Sequence, residues 1–180
     1  MVRLFVAVDL PPEIRERLKK PQEILKQSRA RLSVVDPAII HMTLKFIGEA
    51  PPERVERIMR ALKTVRFEPF DLIITGIGSN NPRQPRVIWC TMDDGGRSAA
   101  LHDRIETVLE PLGIPREGRP FRAHATIARV KQYDPSLTAR LRDIPPEDYG
   151  SFTVRSWQLK KSTLTPQGPI YETLLEVPCI

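Results

Sequence analysis

The sequence predicts an α+β fold of two pseudo-symmetric lobes, each a mainly antiparallel sheet with helices on its outer side, forming a central cleft. Three observations predict it. Strand-like and helix-like segments alternate along the 180 residues. Several strand-like segments keep one polar face, which suits sheets open on one side rather than a fully covered parallel sheet. And a His-x-Thr strand is written twice, at His41-Met42-Thr43 and His124-Ala125-Thr126, with an offset of 83 residues.

The elements follow in order. "RLFVAV" from residue 3 is a short β-type run. Residues 12–30 carry Ile14, Leu18 and Leu25 at helical spacing, with Pro21 expected to kink or break the helix. In "IHMTLKFI" (40–47) strict alternation puts Ile40, Met42, Leu44 and Phe46 on an apolar face and His41, Thr43 and Lys45 on a polar one. Residues 52–64 place Val55, Ile58, Met59 and Leu62 on one helical stripe, with Pro51-Pro52 suited to its start. "FDLIITGI" and "RVIWCTM" read as strands. Residues 98–112 place Leu101, Ile105, Val108, Leu109 and Leu112 on one stripe, closed by Gly113 as a C-terminal cap. "RAHATIAR" is the second motif strand, and a shorter helix is expected over residues 135–141. "FTVRSWQLKKSTL" and "YETLLEV" form a hairpin about "TPQGPI".

The order is therefore βαβαβ twice, plus one strand. The offset of the histidines also carries Arg3 onto Arg86 and "RLFVAV" onto "RVIWCT", as an internal duplication would. One compact bilobal domain over residues 1–180 is expected, with its lobe boundary near residues 78–86. If a pseudo-two-fold axis relates the lobes, the two motifs face each other in the cleft.

Composition narrows the functional classes. Hydrophobic residues at 41% and charged residues at 28% describe an ordinary soluble chain. No apolar run approaches a membrane span, and the N-terminal one is too short for a secretory signal, so no membrane partner and a cytoplasmic protein are expected. Cys90 and Cys179 are too few for a disulfide framework and are not spaced as a zinc site; both read as buried thiols. A net charge of +6 and a pI near 9.6 favour a polyanionic partner such as RNA or DNA. Arginines gather in "NNPRQPR" and in "PREGRPFR", the latter leading into the second motif.

Two imidazoles suit displacement at phosphorus. One can take the proton of an attacking water while the other protonates the departing oxygen, in line on the far side. Threonine hydroxyls can donate to the phosphoryl oxygens as charge gathers there. The third histidine, His102, shares a helix with Leu101 and Ile105 and reads as structural, so no metal site is expected. There is no G-x-S-x-G, Walker A or G-x-G-x-x-G motif, and no cofactor is expected.

"HMTLKFIG" and "FRAHATIAR" resemble the paired motifs of the RNA 2′,3′-cyclic phosphodiesterase, or 2′-5′ RNA ligase (LigT-like), family of the 2H phosphoesterases. The resemblance extends to "RLFVAVDLP", "RVIW" and "TPQGPIYE", and so runs through nearly the whole chain. It implies a two-lobed fold with the motif strands lining the cleft. It also implies metal-independent opening of an RNA-terminal or nucleoside 2′,3′-cyclic phosphate to a 2′-phosphate, with weak reverse 2′-5′ ligation in some members.

By position, His41 and His124 become the acid–base pair, with His41 taken as the acid, and Thr43 and Thr126 the phosphate donors. Arg129 becomes a ligand contact, although its odd spacing from His124 turns it to the opposite face unless the strand ends or bulges before it. Phe5 becomes a base-stacking residue, while its place in a β-type apolar run favours the core. Members often carry Pro where this chain has Ala123 and Trp where it has Leu32. A monomer is expected. Two other readings fit the residues: a basic RNA-end binding module without turnover, and a phosphodiesterase for another cyclic or 2′-5′-linked nucleotide.

Overall fold

The computed structural model of the chain describes residues 1–180. Its elements are β1 (Val2–Asp9), α1 (Pro12–Lys26), β2 (Arg31–Val34), β3 (His41–Ala50), α2 (Pro52–Leu62), β4 (Phe70–Ser79), β5 (Val87–Asp93), α3 (Arg97–Leu109), β6 (His124–Gln132), α4 (Pro135–Asp143), β7 (Ser151–Val154), β8 (Ser156–Thr165) and β9 (Gly168–Pro178). All nine strands join one sheet in the order β7-β4-β5-β6-β3-β1-β8-β9, with β2 paired beside β6. The strand pairings are antiparallel. The sheet curls into a half-barrel carrying four helices.

The helices form where the apolar stripes lie. Ile14, Leu18 and Leu25 of α1, Ile58 and Leu62 of α2, and Leu101, Ile105 and Leu109 of α3 are at most 2% exposed. Burying each such side chain stabilises the fold by about 1.5–3 kcal/mol. They meet alternate sheet residues, Leu4, Val6 and Val8 of β1 among them, in one core. Pro12 and Pro52 occupy the first helical positions. Gly113, in the left-handed region at φ 75, caps the short 3-10 turn Glu110–Leu112 that follows α3. Pro21 does not break α1: it is buried inside a continuous helix, where tertiary packing outweighs its propensity. The helix ends at Lys26 rather than near residue 30, because the chain must turn to enter β2, a short strand that the apolar pattern missed.

The lobes do not follow the halves of the chain. One half-sheet is β3-β1-β8-β9 and the other is β6-β5-β4-β7. Each half of the sequence lends two strands to the other: β2 and β4 join β6 and β5, and β8 and β9 join β1. β4, from before the expected boundary at residues 78–86, pairs with β5 after it. β8 crosses back to β1. The single strand expected over residues 152–164 is therefore broken at Arg155: β7 stays with β4, while β8 leaves for β1.

A second departure lies within the motif strands. β1 pairs Ala7 with Thr43 but Val6 with Lys45, so Leu44 is an extra residue. β5 pairs Trp89 with Thr126 but Ile88 with Ala128, so Ile127 is extra in the same way. A bulge places two consecutive residues on one side and reverses the alternation beyond it. Leu44 and Lys45 are consequently both buried, as are Ile127 and Ala128. Lys45, expected on the polar face, is 3% exposed, and Phe46, expected in the core, is 59% exposed.

Because strands are exchanged, the two half-sheets should unfold as one unit. Leu159→Ala in β8, at a position 0% exposed, should cost about 2–5 kcal/mol. Urea unfolding followed in parallel by far-UV circular dichroism and tryptophan fluorescence should give one coincident transition. Two separated transitions would contradict the shared core.

Candidate active site

β3 and β6 share a single backbone pair, Met42 with Ala125. Both side chains are buried in the core, at 0% and 1% exposure. Their neighbours His41, Thr43, His124 and Thr126 therefore point the other way, onto the concave face. Antiparallel register then sets His41 across from Thr126, and Thr43 across from His124. The histidines are diagonal neighbours, about 7–8 Å apart at the backbone. Residues 83 positions apart are thus brought within reach of one small ligand.

The two rings are held alike. His41 Nδ1 lies 2.8 Å from the Ile39 carbonyl oxygen, and His124 Nδ1 lies 2.7 Å from that of Arg122. A carbonyl oxygen only accepts, so each Nδ1 carries the hydrogen. Nε2 of each ring is left for chemistry, with a lone pair when the ring is neutral and a proton to give when it is charged. In the neutral state the Thr43 hydroxyl donates to His41 Nε2 at 3.1 Å.

Their charged surroundings differ. β1 pairs Asp9 with His41, whereas β5 pairs Thr91 with His124. Asp9 accepts a 2.7 Å hydrogen bond from Lys160 Nζ, on the β8 residue paired with Phe5. Burial pushes the His41 pKa below 6.5. The Ile39 carbonyl and Asp9 oppose that shift, while Lys160 and Arg129 add to it. Thr91 offers no charge and exchanges a 2.8 Å hydrogen bond with the Thr75 hydroxyl.

Aromatic rings back the histidines. Phe5 lies 5.1 Å from the His41 ring, Tyr171 5.4 Å from it, and Phe5 and Tyr171 4.9 Å from each other. On the other side the Trp89 ring lies 4.6 Å from His124. Phe5 itself is 4% exposed, beneath His41, Tyr171 and Phe46, and so has no free face on which a base could stack. The exposed ring of the cluster is Phe46, brought there by the bulge. The second bulge does the same for Arg129. It is exposed, and its charge reaches both His41 and Tyr171 across the cleft. Burial raises the Tyr171 pKa above 10, which keeps its hydroxyl a donor at neutral pH.

Asp9, Lys160, Trp89, Tyr171 and Phe46 surround the candidate site, and the sequence pattern did not single them out. Tyr171 lies in the quoted stretch "TPQGPIYE", and Trp89 in "RVIW", which were the available signals. Asp9 and Lys160 meet across 151 residues, which no local pattern encodes. Elsewhere, Cys90 is fully buried and its thiol is pushed up to about 12 by burial, while Cys179 is half-buried. His102 is 6% exposed and lies in the core. No group of three or more His, Cys, Asp or Glu residues is placed to hold a metal ion, and no helix is long and apolar enough to cross a membrane.

Comparison with known proteins places this arrangement in context. The family model described as LigT like Phosphoesterase matches residues 8–89 and 93–171. A protein of Archaeoglobus fulgidus named RNA 2′,3′-cyclic phosphodiesterase is 39% identical over 176 residues, 96% of this chain and 98% of that one. One of the same name from Thermotoga maritima is 31% identical over 97% of this chain and 94% of its own. Among solved structures, TT0787 of Thermus thermophilus superposes with a TM-score of 0.82 at 31% identity, covering 98% of this chain and 97% of that one. E. coli LigT complexed with NADP+ gives a TM-score of 0.81 at 26% identity, covering 99% and 97%.

The charges around His41 can be tested directly. Its ring should titrate below 6.5 in the free protein by NMR, and Asp9→Asn should lower the midpoint further, since a carboxylate that favours the imidazolium is lost. A midpoint above that of free imidazole, or an upward move in the variant, would refute the account.

Proposed function

The chain belongs to the LigT-like phosphoesterase family, and from that membership we propose that it opens the terminal 2′,3′-cyclic phosphate of RNA to a 2′-phosphate with His41 and His124 as its acid–base pair. The observation that carries this reading is the Met42–Ala125 bridge, which sets both His-x-Thr pairs on one concave face with both Nε2 atoms free of backbone partners. Relatives named for this activity, at up to 39% identity over nearly the full chain, support the substrate class. LigT was crystallised with NADP+, whose ribose carries a 2′-phosphate, the same group as the proposed product.

In the proposed step, His124 Nε2 takes a proton from water as its oxygen attacks phosphorus. The bond from phosphorus to the ribose 3′ oxygen breaks on the opposite side, and His41 Nε2 gives that oxygen its proton. The Thr43 and Thr126 hydroxyls donate to the phosphoryl oxygens, and Arg129 adds a positive charge. No metal is required. An otherwise two-fold site acquires a direction from its neighbours: Asp9 beside His41 favours the protonated ring, whereas Thr91 beside His124 does not. The bound phosphodiester anion works with Asp9 against the burial that keeps the free ring neutral. With an RNA 5′ hydroxyl in place of water as the attacking group, the same step would open the cyclic phosphate to a 2′-5′ phosphodiester, His124 taking the proton of that hydroxyl and His41 protonating the departing 3′ oxygen; this would be a weak 2′-5′ ligation.

The test is an RNA ending in a 2′,3′-cyclic phosphate, incubated in excess EDTA. Hydrolysis to a 2′-phosphate is expected; binding without turnover would make the chain an RNA-end binding module. His41→Ala and His124→Ala should each lower kcat by about 10²–10⁴-fold, and Arg129→Ala should mainly raise KM. Both rate profiles should be bell-shaped in pH. The acid must be protonated, so its ionisation sets the alkaline limb. That limb should lie higher in kcat, where the anion is bound, than in kcat/KM, which reports the free enzyme. A limb that stays in place would remove His41 as the acid.

A further inference from the structure

Two buried polar groups lie behind the cleft, and the proposed chemistry uses neither. On α1, Gln22 is 2% exposed. Its Nε2 donates to the Val35 carbonyl at 2.8 Å and to the Ile127 carbonyl at 3.0 Å. On α3, Glu106 and His102 are 4% and 6% exposed; Glu106 meets Lys45, itself 3% exposed, and its Oε2 lies 3.6 Å from His102 Nε2. Lys45 Nζ donates to Glu106 Oε1 at 2.6 Å and to the Pro115 carbonyl at 2.8 Å. The same Oε1 accepts from the Glu117 amide at 2.7 Å. His102 Nδ1 donates to the Leu44 carbonyl at 2.6 Å, and Phe121 stacks on its ring at 4.8 Å.

These groups perform the same task twice. Leu44 and Ile127 are the extra residues of the two bulges. Each carbonyl is held by a helix of the other chain half: Ile127 by Gln22 of α1, and Leu44 by His102 of α3. The same groups hold the irregular chain that enters a catalytic strand. Gln22 holds Val35, four residues before the Ile39 carbonyl that fixes His41. The Lys45–Glu106 pair holds Pro115 and Glu117, just before the Arg122 carbonyl that fixes His124. Each clasp thus ties the strand of one motif to the approach segment of the other.

Stability alone does not call for this chemistry. Ala128 occupies in the second bulge the place that Lys45 takes in the first, so a methyl group is acceptable there. A buried ion pair is weak support for stability, and apolar residues of similar volume often serve as well. What directional hydrogen bonds add is position. We propose that Gln22 and the Lys45–Glu106–His102 cluster are positioning residues that set the separation and the ring geometry of His41 and His124.

The inference rests on the two-histidine reading for its kinetic arm alone; its spectroscopic arm does not need it. The variants are Gln22→Met and the double replacement Lys45→Met with Glu106→Met, which keep volume and leave no buried charge unpaired. Both should melt cooperatively. On a nucleoside 2′,3′-cyclic phosphate, kcat should fall about 10- to 100-fold with KM changed by less than about threefold, as expected for a misplacement of about 1 Å. In NMR of the free proteins, Gln22→Met should shift the ring signals and titration of His41, and the double variant those of His124. Folded variants with unchanged imidazole signals would overturn the proposal, whatever their activity, and so would wild-type kcat. If the double variant does not fold, Gln22→Met decides alone. Should the wild-type protein fail to hydrolyse cyclic phosphates, the functional proposal fails while the ring signals still decide this one.

Discussion

The arrangement of the cleft depends on the extra residue that directly follows each His-x-Thr motif, Leu44 in β3 and Ile127 in β6. Before the bulge, His41 and Thr43 face the concave side and Met42 faces the core; after it the order is reversed. The reversal puts Lys45 inward, where an unpaired ammonium would be costly, and Glu106 and two further partners meet it there. It puts Phe46 outward. In the second strand the same insertion buries Ala128 and frees Arg129 to face His41. A regular strand would send the arginine to the core face and the lysine into the cleft. A one-residue slip changes every side beyond it, so the composition of the cleft is a matter of register.

The two half-sites share a backbone plan and differ in their charges. Each histidine is held by a carbonyl two residues upstream, each threonine lies two residues downstream, and each bulge follows at the same distance. Around that plan, Asp9 and Lys160 flank His41, while Thr91 and Trp89 flank His124. In the proposed reaction, two identical imidazoles would have no preferred direction of proton transfer; the neighbouring strands β1 and β5 differ around them, without any change in the motifs themselves. The exchange of β4 and β8 between half-sheets makes the floor of the cleft continuous, so the motifs are braced through a shared core rather than across a hinge.

Much of this was legible in the chain. The helical stripe of Ile58, Met59 and Leu62, the Pro51-Pro52 start and the Gly113 stop are local signals, and each acts where it stands. The alternation of His41, Met42 and Thr43, repeated at His124, Ala125 and Thr126, marked both strands and their polar faces. The offset of the two histidines pointed to paired halves, although the register of β1 and β5 is one residue short of that spacing, with Asp9 rather than Val8 in the place of Thr91. Strict alternation failed at Lys45 and Phe46, because an inserted residue leaves no mark on the apolar count. Four residues of mixed character, Arg31–Val34, were too short a run to announce a strand.

The sequence by itself determined most of the helices and strands and marked His41, Thr43, His124 and Thr126 as candidate site residues, because those signals depend on side-chain type and on spacings of two to four residues. Only the tertiary structure decided that residues 152–164 divide between two half-sheets, that Phe5 is covered, and that Lys45 has Glu106 as its partner 61 residues away. These outcomes rest on backbone pairing and side-chain contacts between distant segments. Hydrogen bonding between strands recognises amide and carbonyl groups that every residue but proline shares, so the partner and its register follow from packing the whole sheet against its helices.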